Sequence, residues 1–207
     1  MQKLILLALG LFTAALAVIG FYLMWSNDHQ GATVPYIPAS QASETKFTAP
    51  FTLTNQNGKT VTQATFLGKP TLYFFGFTHC PDICPTTLGT LTTWLNTLGT
   101  DASKLNIVFI SIDPERDTPA SLKQYLSGFH PQITGATGTP DQLKAMAKEF
   151  MVYYAKVPQP TPQNPNDYTM SHSSMILMAD KTGTFMGSLD AHTSDADAVS
   201  QLKTLIK

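Results

Sequence analysis

Apolar residues run without a charge from Leu4 to Trp25. As a helix rising ~1.5 Å per residue, this run reaches roughly 33 Å, enough to cross a ~30 Å hydrocarbon core. Lys3 precedes it, and Tyr22 and Trp25 stand where interfacial aromatic residues fall. The pattern predicts a membrane anchor over residues 1–25, with the remainder exported. A cleaved signal is the alternative, because Ala15-Leu16-Ala17 fits a small-x-small cleavage site. Residues 26–46 are polar, carry Pro35 and Pro38, and are expected to be a tether. From 47 to 207 the pattern is that of one folded domain.

Within that domain, residues 51–54 alternate apolar and polar, Asn57-Gly58 marks a turn, and the alternation resumes over 59–62, which predicts a hairpin. Residues 71–77 and 105–112 are nearly continuous apolar runs and read as strands buried on both faces. Leu88, Leu91, Leu95 and Leu98 repeat at helical spacing, predicting a helix over 86–98. Thr118-Pro119 and Thr139-Pro140 each open a helix, ending near Phe129 and Met151, and Ser194 caps a last one over 195–206. Residues 174–178 and 184–188 form a second hairpin, closed by 180–183. The order is strand pair, strand, helix, strand, helix, helix, strand, strand, helix. Buried strands alternating with helices predict an α/β fold with a central mixed sheet.

Charge narrows the functions. Among 207 residues, 13 Lys+Arg face 14 Asp+Glu, for a net charge of −1. This excludes a strongly basic nucleic-acid binder and an acidic disordered chain. Arg116 is the sole arginine, which excludes an Arg-rich transit peptide. A domain of this size buries about 70% of its unfolded surface and needs no metal or disulfide to fold. Its two cysteines are free for other work.

Cys80 and Cys84 lie between the first buried strand and the first long helix, in Thr78-His79-Cys80-Pro81-Asp82-Ile83-Cys84-Pro85. On a helix start, residues four apart share a face with Cα atoms ~6 Å apart. That separation suits a disulfide and equally suits two sulfurs on one metal ion. Free amides at a helix start favour thiolate. An inert disulfide is the plainer alternative, but so short a loop contributes little stability by closing.

Of the five histidines, His29 is in the tether. His79 points away from Cys80 if the local chain is extended, and His130 and His192 lie beside turns. His172 differs. It follows a long stretch, 157–171, that holds Pro158, Pro160, Pro162 and Pro165 and is expected to be an irregular, functional loop. Two thiolates and an imidazole make a soft three-coordinate site that suits Cu(I) and can hold Cu(II); zinc would ask for a fourth ligand. Six of the eight methionines lie beyond residue 140, Met170 and Met175 near His172, and most are expected in the core. Asp113 and Arg116 are expected to form a pair that holds their own loop.

Three blocks resemble one family, the Sco/SenC copper chaperones. Phe77-Thr78-His79-Cys80-Pro81-Asp82-Ile83-Cys84-Pro85 is similar to its first motif. Ile110-Ser111-Ile112-Asp113-Pro114-Glu115-Arg116-Asp117-Thr118-Pro119 is similar to its second, and Tyr168-Thr169-Met170-Ser171-His172-Ser173 to its third. The resemblance implies a thioredoxin-like domain that binds one copper ion, Cu(I) or Cu(II), through Cys80, Cys84 and His172. It implies a protein of the bacterial inner membrane that faces the periplasm or cell exterior. Its partner would be the copper-receiving subunit of a haem-copper oxidase, whose dinuclear copper centre it helps to assemble. The alternative is a thiol–disulfide oxidoreductase in which Cys80 and Cys84 are a redox-active pair that reduces the oxidase cysteines. The chain departs from the family at Ser171, where an Asp commonly precedes the histidine and could orient its ring.

Overall fold

The computed structural model describes residues 46–47 and 49–207. The expected anchor at 1–25, and the tether apart from Lys46, lie outside the described residues. Among those described, no helix is long and apolar enough to cross a membrane.

The alternating stretch after Phe51 folds as the expected hairpin, β1 (Thr52–Asn55) with β2 (Thr60–Thr62), followed by a short helix, α1 (Gln63–Phe66). Gly58 in the turn has a φ of 73°, a conformation that favours glycine. The two apolar runs become β3 (Thr71–Gly76) and β4 (Asn106–Ser111), paired in parallel from Thr71–Asn106 to Gly76–Ser111. Between them run α2 (Ile83–Leu98) and a 3₁₀ segment (Gly99–Lys104). Then come α3 (Pro119–Leu126), β5 (Ile133–Thr137), α4 (Pro140–Glu149), β6 (Tyr154–Pro158), β7 (Tyr168–His172), β8 (Ile176–Ala179), β9 (Phe185–Leu189) and α5 (Asp195–Leu205).

Seven strands form one mixed sheet in the order β2-β1-β5-β4-β3-β8-β9. Strands β3, β4 and β5 are parallel, and the flanking strands are antiparallel. Alternation on β3 explains why the run is apolar throughout. Leu72 and Phe74 enter one core with Phe109 and the helix residues Leu88, Leu91, Trp94 and Leu95. Tyr73 and Phe75 enter the other, with Val108, Ile110, Phe47 and Phe150. Side chains alternate across a strand, so a central strand feeds both layers. The result is the thioredoxin-like α/β arrangement that the sequence suggested.

The helix starts follow the capping chemistry. Thr118 accepts the amide of Ser121, Thr139 that of Gln142 and Ser194 that of Asp197, and proline follows each threonine. Trp94 is fully buried, and its indole N–H donates to Asp195 at 2.8 Å, tying α2 to α5.

Two expectations are corrected. Strand β5 was absent from the predicted order, because Ile-Thr-Gly-Ala-Thr has neither a long apolar run nor clean alternation. Its Gly135 is closely packed: a Cβ there would lie 2.6 Å from Leu126 Cδ1, which would have to shift. The stretch 157–171 is not an irregular loop. Its ends belong to a two-stranded antiparallel ribbon, β6 with β7, in register from Tyr154–His172 to Pro158–Tyr168. Pro160, Pro162 and Pro165 are confined to the connecting turn, where a missing N–H costs no ladder bond.

Candidate metal centre

Beyond Gly76 the chain leaves β3 and turns through Cys80 into α2. Asp82 is the N-cap, so Cys84 is the second helical residue and Pro85 the third, where its missing N–H is harmless. The Cys84 amide donates to Cys80 Sγ at 3.3 Å. This is the helix-start contact anticipated from the spacing, with Cys80 outside the helix and Cys84 inside it. Both cysteines are free thiols; Cys84 is fully buried and Cys80 half-buried.

His172 ends β7 and brings its ring over the pair. Cys84 Sγ lies 3.6 Å from His172 Nε2. Donor atoms of Cys80, Cys84 and His172 all lie within 4.8 Å of one another. His172 Nδ1 lies 2.9 Å from the Ser173 carbonyl oxygen. A carbonyl only accepts, so Nδ1 is the donor to it, which leaves Nε2 as the ring nitrogen that faces the sulfurs. The main chain thus holds the ring, with no carboxylate at position 171. Phe74 and Phe77 close its sides, with centroids 6.4 and 5.9 Å away.

The pair shares one proton. The Cys84 thiol donates to Cys80, which drives the Cys80 pKa down to about 3 against a smaller penalty from burial. Cys84 is driven up, because its proton is held by Cys80 and its site is buried. One negative charge therefore sits on Cys80 at neutral pH, and the remaining proton lies between the donors. Replacing that proton by a cation would leave three lone pairs facing one centre. This set of two sulfurs and one imidazole fits a soft ion better than a hard one. The depressed value has a direct consequence. Alkylation of Cys80 is expected to proceed at an almost constant rate from pH 5 to 8, because the thiolate is present throughout; a rate that climbs tenfold per pH unit, as for a free thiol near 8.5, would contradict it.

Two carboxylates brace the site. Asp117 is buried and accepts from the Thr78 amide at 2.9 Å, the Thr78 hydroxyl at 2.5 Å and the Ser111 hydroxyl at 2.6 Å. It fastens the cysteine turn to the end of β4. Sequence reasoning missed it, because an Asp just before a capping Thr reads as ordinary turn chemistry. The paired strand ends β3 and β4 were the available signal. Asp113 and Arg116 form the expected pair, Nε to Oδ2 at 2.5 Å. Their reach extends beyond their own loop: Asp113 accepts the Tyr168 hydroxyl at 2.8 Å, and Arg116 donates to the Tyr168 carbonyl at 2.9 Å. The guanidinium also stacks 3.8 Å over the Tyr168 ring. The start of the strand that carries His172 is thus pinned. His79 is exposed and stays outside the donor set, with Nδ1 3.7 Å from Asp117 Oδ1.

A cleft of about 320 Å³ opens onto Cys80 and His172. A larger one, about 510 Å³, lies between β1, β4 and β5 around Asn55, Lys69 and Gln132, and no cysteine, histidine or methionine lines it. Donor chemistry therefore selects the smaller cleft.

Residues 39–207 match the family described as SCO1/SenC. The chain belongs to the SCO1/SenC family. This SCO1/SenC protein is 42% identical over 160 residues to yeast "Protein SCO2, mitochondrial", a match covering 76% of this chain and 52% of that one. The chain therefore spans about half the length of the yeast relatives it matches. It is 39% identical over 141 residues to the SCO2-like protein RP587 of Rickettsia prowazekii, covering 68% of each. Among solved structures, Bradyrhizobium japonicum ScoI with copper bound is 45% identical, with a TM-score of 0.70 over 75% of this chain and 97% of that one. Yeast Sco1 with copper bound is 40% identical, with a TM-score of 0.68 over 75% and 85%.

Proposed function

We propose that this SCO1/SenC protein is a membrane-anchored copper metallochaperone. Residues 1–25 would be a single-pass anchor in a bacterial inner membrane, 26–46 the tether, and 47–207 the copper-binding domain facing the periplasm or cell exterior. Copper is the cargo, one ion held by Cys80, Cys84 and His172 and passed to the copper-receiving subunit of a haem-copper oxidase. The observation that carries the reading is the meeting of three soft donors, eighty-eight positions apart between Cys84 and His172, within 4.8 Å of one another. The copper-bound relatives from B. japonicum and yeast support the choice of metal. Charge supports it too. Two thiolates with Cu(I) leave −1 and with Cu(II) leave 0, so neither oxidation state strands a large charge in the cleft. Half-burial of Cys80 leaves one sulfur where a recipient thiolate can displace it stepwise.

The test is a titration of the reduced protein with Cu(I) against a competing chelator. One copper per chain is expected, and prior alkylation of both thiols should abolish uptake. Uptake that is substoichiometric, or indifferent to alkylation, would overturn the reading.

The thiol–disulfide reading is favoured by one feature of its own, the thiolate on Cys80 beside a resolving thiol. Cys80 sulfur would attack a partner disulfide, forming a mixed disulfide and releasing one partner thiolate. Cys84 sulfur, giving up its proton, would then attack Cys80 and release the second. The partner gains two electrons and this pair loses two. The resulting disulfide removes two copper ligands, so the two activities would alternate on one site.

A further inference from the structure

Met170 is the one methionine that lines the cleft shared by Cys80 and His172. It lies two residues before His172 on β7, and residues two apart on a strand share a face. That face is directed inward at both ends: Tyr168 is pinned to Asp113 and Arg116, and His172 lies against Cys84. Met170, between them, is half-buried and packed against both apolar cores, so its placement is fixed by contacts on two sides. The other polar groups that line the cleft are the carboxylate of Asp82 and the hydroxyls of Thr169, Ser171 and Ser174. These are hard oxygens, poorly matched to Cu(I), whereas a thioether is a soft neutral donor that favours it.

Resting on the copper reading above, we infer that Met170 is a fourth, weaker ligand that biases the Cys80–Cys84–His172 site toward Cu(I). A neutral thioether leaves the charge of the site unchanged, so it discriminates between oxidation states by softness alone. It also gives the ion a remaining sulfur contact on the wall of the cleft while a recipient displaces the half-buried Cys80.

The experiment compares Met170→Leu with the unaltered protein and with Met175→Leu. Met175 is an exposed methionine close in sequence that does not line the cleft. Leu conserves volume, so the fold should be retained, and thermal melting of the metal-free proteins checks this. Cu(I) and Cu(II) affinities are measured separately by chelator competition. Met170→Leu should weaken Cu(I) about tenfold while leaving Cu(II) within about threefold, which lowers the Cu(II)/Cu(I) potential by roughly 59 mV per tenfold difference. Met175→Leu should change neither. Equal losses for both ions, or no loss for either, would overturn the inference while leaving the three-donor site intact. Failure of the unaltered protein to take up copper would instead overturn the copper reading, and this inference with it.

Discussion

Replacing His172 by Ala is expected to weaken Cu(I) binding by ~100-fold or more while leaving thiol–disulfide exchange nearly unchanged. Loss of a group that merely orients a ligand costs roughly 10–100-fold in metal affinity, so loss of a ligand itself sets the upper figure as a floor. The exchange chemistry depends on other atoms. The low pKa of Cys80 arises first from the Cys84 thiol, with His172 a lesser contributor. His172→Ala therefore separates the two proposed activities, whereas Cys80→Ser or Cys84→Ser removes both. The measurements are chelator competition on the reduced protein and the rate of reduction of a model disulfide. Copper affinity unchanged in His172→Ala would show that the ring is not a ligand. A collapse of both activities would show that it supports the thiol pair itself.

Gly76→Ala is expected to disturb the site from beneath. Gly76 ends β3, and a Cβ there would lie 2.6 Å from Cys84 Sγ and 2.7 Å from Phe109 Cε2. Both neighbours are fully buried, and Phe109 is also packed against Phe74 and Tyr125. Neither can yield without moving others, so the strain should amount to ~1–3 kcal/mol. For a domain of this size that corresponds to roughly 2–4 °C of melting temperature per kcal/mol. The more specific effect is on Cys84, whose sulfur must shift from its place near His172, and copper affinity should fall with stability. Melting and copper uptake both at the unaltered level would mean that the cysteine turn is free to relax, contrary to the packing. Gly89, in the middle of α2, is the natural comparison: a Cβ there meets nothing within 4 Å, so Gly89→Ala should be neutral or stabilising.

Much of this architecture was legible because single residues carry strong physical constraints. The run Thr71–Gly76 could be recognised as a doubly buried strand from its unbroken apolarity, and the Thr-Pro pairs announced two helices through capping and fixed φ. The convergence of Cys80, Cys84 and His172 was anticipated from residue chemistry at the strand-to-helix turn, although the irregular loop that singled out His172 is in fact a ribbon. What escaped was what depends on partners. Strand β5 is strand-like only because β4 and β1 flank it; alone, Thr134, Gly135 and Ala136 have no strong preference. The ribbon β6–β7 was hidden by prolines that cluster in its turn, and it is tied to the rest of the domain by the Arg116 contact to Tyr168, which lies distant in sequence. Asp117 was invisible because two of its three donors belong to Thr78, in a segment distant in sequence.

The carbonyl that steadies the His172 ring has no side-chain gene to lose. Point substitution at 173 changes the side chain and leaves the peptide oxygen where it is, whereas a ring held by a carboxylate would lose its hold with that side chain. Nor does that oxygen ionise: acidity that would neutralise an aspartate leaves the tether on the imidazole unaltered. That makes the ring's bearing a property of the backbone.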